Sequence, residues 1–208
     1  MSTHDDGTLL SSTIPVEVLV RDRLALVVGG GGEALSKLRR LTRAGARIEW
    51  FPDGATAEDR AAGVALGATI LDAPPEEAVL ATAAIVFFTT EQEERGALAA
   101  TSARARGTLV CTLDRPDHST FVNPAVAEGA GVRLSISTGG ASPGLARRLR
   151  EELERLLAAP ELAPFVATTS RLRAKLPRGE RFKRMSAIFA DLRLEGRWTL
   201  PTIANGGD

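Results

Sequence analysis

The segment from Leu24 to Ala44 constrains the fold more than any other part of this chain. Leu24-Ala25-Leu26-Val27-Val28 is a short, continuous apolar run. That is the pattern of a strand buried on both faces of a parallel sheet. Gly29, Gly30, Gly31 and Gly32 follow, then Glu33, Ala34 and a helix carrying Leu35, Leu38, Leu41 and Ala44. Gly29, Gly31 and Ala34 keep the G-x-G-x-x-G/A spacing of a dinucleotide-binding turn. The first glycine permits the sharp turn, the second lets a pyrophosphate approach, and Ala34 lets the helix pack close to its strand. Gly45-Ala46 ends the helix, and Arg47-Ile48-Glu49-Trp50-Phe51 supplies the next strand. An acid for the adenosine ribose belongs near the end of that second strand. Asp53 lies just beyond it and fits better than Glu49, which lies inside.

The alternation of strand and helix continues to about Phe121. Ala68-Thr69-Ile70-Leu71 reads as a short strand, and residues 83–88 as a central buried one ending at Thr89-Thr90-Glu91. A helix is expected over about 93–106 and a strand over 109–113, with Asp114 directly after it. This cadence predicts an α/β fold built on a Rossmann-like parallel sheet with helices on both faces. Ligands of such sheets lie beyond the carboxyl ends of the strands. Gly29–Gly32, Thr89, Thr90 and Asp114 are therefore expected along one crevice. For Thr89 and Thr90 the alternative is a plain strand end, and for Asp114 a turn or cap before Pro116.

A second small-residue turn occurs in LSISTGGASPGLARRLREELE, residues 134–154. A strand runs to Ser137, Thr138-Gly139-Gly140-Ala141 presents little bulk, and Ser142-Pro143 starts a helix as N-cap and first residue. Leu145, Leu149, Leu153 and Leu156 give that helix one apolar face. A backbone this bare either makes a tight connection or lets an anion or a large flat ligand come close.

Composition excludes several classes. The 208 residues carry zero formal net charge, so bulk electrostatics names no nucleic-acid or membrane partner. The single cysteine, Cys111, rules out an internal disulfide or a cysteine-rich zinc cluster, and its apolar neighbours read as strand packing. No apolar run approaches the roughly 20 residues needed to span a bilayer. With no apolar signal core at the N-terminus, a cytoplasmic protein is expected. Residues 1–13 read as a loose polar tail. His4 lies there, and His118 stands in a polar loop, either solvated or acting as a proton shuttle. No cluster of metal-ligand residues is present, so no resident metal is expected. Between Arg171 and Arg184 the cations Arg171, Arg173, Lys175, Arg178, Arg181, Lys183 and Arg184 face a single acid, Glu180. This is either a solvated helix face or an attractor for a polyanion.

Taken together, these blocks resemble the precorrin-2 dehydrogenase and sirohydrochlorin ferrochelatase family, which includes the N-terminal module of siroheme synthase. The likeness runs from about Val16 to Met185. It rests on VLVRDRLALVVGGGGEALSKLRRLTRAGARI, Thr89-Thr90-Glu91, LVCTLDRPDHSTFVNPA and LSISTGGASPGLARRLREELE. The chain looks several residues shorter than the family between Leu172-Arg173-Ala174 and Gly179-Glu180-Arg181.

The resemblance implies a Rossmann-like domain over 14–122, a dimerisation segment over 123–157 and a C-terminal helical domain over 158–208, in a homodimer. It implies NAD-dependent dehydrogenation of precorrin-2 to sirohydrochlorin, with ferrochelatase activity in some members and Fe2+ or Co2+ then taken as a substrate. Gly29, Gly31, Gly32, Glu33, Ala34, Asp53, Thr89 and Thr90 would hold NAD. Ser137, Thr138, Gly139, Gly140, Ser142 and Arg147 would hold the substrate. The family's catalytic aspartate falls on Asp114. The rival reading is an NAD-responsive regulatory or redox-sensing module. A DNA-binding form of it would need a helix-turn-helix, for which residues 1–15 are too short.

Overall fold

The computed structural model describes residues 9–195 and 199–200. His4 and most of the expected tail fall outside the described residues. The part of the tail that is described is ordered. Leu9–Ser11 forms one 3-10 turn, and the Leu9 amide donates to the Gly139 carbonyl at 3.1 Å.

Five parallel strands form the main sheet in the order β3-β2-β1-β4-β5. They are β1 (Leu24–Val28), β2 (Arg47–Phe51), β3 (Thr69–Ile70), β4 (Ile85–Phe88) and β5 (Val110–Thr112). Between them run α1 (Gly31–Arg43), α2 (Ala57–Ala65), α3 (Glu77–Thr82) and α4 (Glu93–Arg106). The strand positions match expectation, although β3, β4 and β5 are each two residues shorter. Two helices, α2 and α3, carry too little apolar periodicity to stand out in the sequence. α2 is fixed instead by a capping box, in which Thr56 and Asp59 each accept from the other's backbone N–H.

Every β1 residue is buried because α1 covers one face of the sheet and α3 with α4 the other. Alternate side chains of each strand point to opposite faces. Ala25, Val27, Trp50, Phe87 and Cys111 therefore meet Leu35, Leu38 and Leu41 of α1. Leu26, Val28, Val86 and Phe88 meet Ala99, Ala100 and Ala103 of α4. Burying a side chain such as Leu38 stabilises the fold by roughly 1.5–3 kcal/mol. Trp50 is wholly buried, and α2 makes room for it with Gly63, where a Cβ would lie 2.1 Å from the indole ring.

A second compact unit comprises Val126–Ile136 and the chain from Pro143 onward, while Ser137–Ser142 groups with the first. It contains a hairpin of β6 (Ala125–Gly129) and β7 (Val132–Ile136). Ala130 and Gly131 both have positive φ, as a two-residue hairpin turn requires. Strand β6 was not foreseen, since Asn123-Pro124 and three small residues hide its alternation. Helices α5 (Pro143–Leu157), α6 (Leu162–Lys175) and α7 (Arg181–Phe189) complete the unit. Of α5 the buried residues are Ala146 and Leu157, while Leu149 and Leu153 of the expected Leu face are partly buried and Leu145 and Leu156 stay about half exposed within the chain.

Candidate active site

The strand order places the crossover between β1 and β4, where ligands of open parallel sheets bind. Four pieces of chain end there.

The first is the glycine turn. The Gly29 amide donates to the Phe51 carbonyl at 2.9 Å, and the Gly29 carbonyl accepts from the Trp50 indole at 2.7 Å. Strand β2 thus clamps the turn from both sides. A Cβ on Gly29 would strike Thr89, and one on Gly30 would strike the backbone of Asp53 and Ala55. Gly31 has φ of 69° and Gly32 an ordinary φ, and nothing lies within 4 Å of a Cβ at either. Gly30 gives α1 no side-chain cap. Open space over a bare helix N-terminus fits a dinucleotide's pyrophosphate, since unpaired N–H groups and the helix dipole both favour an anion.

The second piece is Asp53, two residues past β2. Its carboxylate accepts from the buried Gln92 amide at 3.1 Å. Gln92 escaped sequence reading because a polar residue just after a strand gives no sign that it will be buried.

Thr89 and Thr90, at the end of β4, divide their roles. Thr89 is buried and its hydroxyl has no hydrogen-bond partner among the described residues. Thr90 donates its amide to Glu33 at 2.9 Å and its hydroxyl to the same carboxylate at 2.9 Å. Glu33 thereby ties the first turn of α1 to the end of β4.

The fourth piece is Asp114, exposed and two residues past β5. Its φ is 59°, in the left-handed region. That geometry costs a residue with a Cβ about 1–2 kcal/mol, less for Asp than for most. The turn is closed by the Arg115 amide donating to Thr112 at 3.1 Å. Buried Ser119 braces it, since its hydroxyl accepts from the Thr112 amide at 3.0 Å and donates to the Arg115 carbonyl at 2.8 Å. Among the described residues the Asp114 carboxylate makes no hydrogen bond or ion pair. The turn is therefore held by its neighbours while the side chain stays available.

His118 is half-buried, with Nδ1 3.6 Å from Glu93 and Nε2 3.4 Å from Asp117. Arg115 pairs with the same two acids. These contacts anchor the loop after Asp114 to the start of α4. No group of His, Cys, Asp or Glu with metal-binding arrangement occurs among the described residues.

Two further groups lie on the α1 face of β4 and β5. Burial pushes the Cys111 thiol up to about 11, so it is a neutral packing group at ordinary pH. Burial also lowers the pKa of Lys37, whose ammonium sits 5.6 Å above the Phe87 ring. Lys37 escaped sequence reading, although it falls between Ala34 and Leu38 on the inward side of α1.

The small-residue turn is closed by its own side chains. The Ser137 hydroxyl accepts from the Gly139 amide at 3.2 Å. The Thr138 hydroxyl accepts from the Ser142 amide at 3.2 Å and donates to its carbonyl at 3.1 Å. Gly139 and Gly140 both have positive φ. The arginines that open α5 are paired along the helix: Arg147 with Glu151 at 3.3 Å, Arg148 with Glu151 and Glu152, and Arg150 with Glu154 at 3.0 Å. The cations from Arg171 to Arg184 fall on α6, α7 and the loop between them.

Comparison with known proteins places this architecture. Residues 134–156 match a family model described as "Sirohaem biosynthesis protein central". Siroheme synthase of Gluconacetobacter diazotrophicus is 36% identical over 151 residues, covering 70% of this chain and 32% of that protein. Siroheme synthase of Escherichia coli (strain K12 / DH10B) is 33% identical over 144 residues, covering 69% of this chain and 32% of that protein. The chain thus spans about a third of the length of the curated relatives it matches. The solved structure of "SirC, precorrin-2 dehydrogenase" shares the fold at a TM-score of 0.64 and 19% identity, covering 86% of this chain and 90% of that one. Residues 17–125, more than half of the chain, match the family model described as "Putative NAD(P)-binding", and the chain belongs to that family.

Proposed function

We propose that this chain is a cytoplasmic, NAD-dependent precorrin-2 dehydrogenase of siroheme biosynthesis that works as a homodimer. The observation carrying this reading is Asp114: an unpaired, exposed carboxylate on a braced left-handed turn beyond β5, at the end of the sheet where the glycine turn opens. Likeness to two siroheme synthases and to a solved precorrin-2 dehydrogenase supports the same chemistry.

NAD, when bound, supplies a hydride acceptor. Gly31, Gly32 and the first turn of α1 would receive its pyrophosphate, and Asp53, steadied by Gln92, its ribose. A carboxylate at that ribose disfavours a 2′-phosphate, so NAD is preferred over NADP. As the macrocycle loses a hydride from carbon it must also lose a proton, and the Asp114 carboxylate accepts it. Ser137, Thr138, Gly139, Gly140, Ser142 and Arg147 would contact the substrate. Should the product also take up Fe2+ or Co2+ as a second substrate, Asp114 can accept the protons that leave the pyrrole nitrogens.

The domain scheme proposed with this reading is a nucleotide-binding domain over 14–122, a dimerisation segment over 123–157 and a helical domain over 158–208. The half-exposed Leu145 and Leu156 of α5 support the dimer, whose two-fold pairing would cover them. An anaerobic optical assay with enzymatically made precorrin-2 and NAD tests the activity directly. No sirohydrochlorin formed by a folded, NAD-binding protein would refute it.

A further inference from the structure

Lys37 is a half-buried cation that no carboxylate contacts directly among the described residues, although Glu33 and Asp114 lie within electrostatic reach. On a helix, Glu33 and Lys37 stand at i and i+4 with the acid N-terminal, the favourable order for an ion pair. The pair does not form, because both oxygens of Glu33 are engaged by Thr90. Among the described residues the Lys37 ammonium has no hydrogen bond or ion pair. It rests over the Phe87 ring, within electrostatic reach of Cys111, Arg40, Glu33 and Asp114. Cys111 is held as a neutral thiol, and Arg40 is a like charge. A charge taken partly out of water costs stability unless a partner offsets it. Glu33 and Asp114 favour the ammonium only from a distance, so its N–H donors remain open to an anionic group brought by a ligand.

The placement of Lys37 selects the kind of anion. A cofactor phosphate belongs at Gly31 and Gly32, about 9 Å along the helix axis at 1.5 Å per residue. Lys37 instead lies over β4, whose Phe87 pairs in register with Cys111 of β5, and Asp114 follows three residues later. This is the proton-accepting side of the crevice.

We propose that the Lys37 ammonium binds a carboxylate on the rim of the tetrapyrrole substrate, fixing the ring so that its reacting edge meets Asp114. This rests on the function proposed above. An ammonium–carboxylate contact in a partly dry site is charge-assisted and strong, and Glu33 is kept from competing for it by Thr90.

Calorimetric titration tests the idea without turnover. Sirohydrochlorin and NADH are each titrated into the wild-type protein and into Lys37→Met and Lys37→Arg. Lys37→Met should weaken sirohydrochlorin binding by roughly 10- to 100-fold, the loss typical of a charged hydrogen bond. NADH affinity should stay within about twofold, and Lys37→Arg should recover part of the loss. Sirohydrochlorin with esterified carboxylates should bind wild type and Lys37→Met alike. Unchanged sirohydrochlorin affinity in Lys37→Met overturns the proposal. So does a loss confined to NADH, which would make Lys37 a phosphate contact. If the wild-type protein itself does not bind sirohydrochlorin, the function proposed above fails. If only the Lys37 variants are indifferent, that function stands and this assignment alone fails.

Discussion

The Trp50 indole N–H donates to the Gly29 carbonyl at 2.7 Å, joining the most deeply buried aromatic of the sheet to the first residue of the glycine turn. A bond inside the core thereby shapes a surface that must receive a nucleotide. Trp50→Phe keeps most of the packing but leaves a buried carbonyl unpaired. Urea denaturation should show a loss of about 1–3 kcal/mol, and calorimetry should show weaker NADH binding. Unaltered NADH affinity would mean that the turn holds its shape without the indole.

Gly31 is open to solvent on its Cβ side yet has φ of 69°, so two effects combine in any substitution there. Gly31→Ala should cost about 1–2 kcal/mol through the left-handed backbone. The added methyl should also lower NADH affinity at least tenfold by standing where the pyrophosphate arrives. Gly31→Val carries a β-branched side chain into the same strain and should destabilise the fold more. Normal NADH binding by Gly31→Ala would move the phosphate site elsewhere.

Asp114→Asn is expected to keep the fold, because Asn adopts the left-handed region at least as readily as Asp. Its melting temperature and NADH affinity should match the wild type, while kcat for precorrin-2 falls by 100-fold or more. Asp114→Gly removes the backbone strain and should also leave stability within about 1 kcal/mol, with the same loss of turnover. Stopped-flow absorbance of sirohydrochlorin formation separates this chemical step from release. Wild-type turnover in Asp114→Asn would show that Asp114 is only a turn residue.

Alkaline stability should report Cys111. Its thiol pKa is raised by burial from an ordinary 9.0 to about 11. Between those values the unfolded chain loses the proton and the folded chain keeps it. The resulting stability is fully present below pH 9 and is lost as pH rises through about 11. The loss amounts to ~2–3 kcal/mol. Denaturation curves at pH 8, 9, 10 and 11 should steepen their decline over this window, and Cys111→Ala should lack that component. An identical pH profile in both proteins would contradict the burial-driven shift.

Much of the nucleotide half could be read from the sequence, because period and small residues carry it. The apolar run at Leu24–Val28, the glycine spacing and the acid at position 53 each have one local cause, visible in a few adjacent residues. α4 was legible to the residue, over Glu93–Arg106. What stayed hidden depends on distant partners. Gln92 matters because Asp53 lies across the sheet from it, and Ser119 because it folds back onto Thr112 and Arg115. Lys37 is exceptional because Glu33, its natural helix partner, is drawn off by Thr90, 57 residues further along the chain. Similarly, the positive φ of Asp114 comes from the closing of the turn, since Leu113-Asp114-Arg115 has no glycine to announce it.

The central position of β1 has a consequence for how the protein comes into being. β1 pairs with β2 on one side and β4 on the other. During synthesis, β2 and β3 emerge first and can cover one edge, while the other waits for Ile85–Phe88. Until then the wholly apolar Leu24–Val28 presents an unpaired flank, the kind of edge that invites pairing with another chain. Mutations that slow the docking of β4, such as polar changes at Val86, should therefore show first as aggregation of newly made protein. They should do so before lowering the activity of the molecules that do fold.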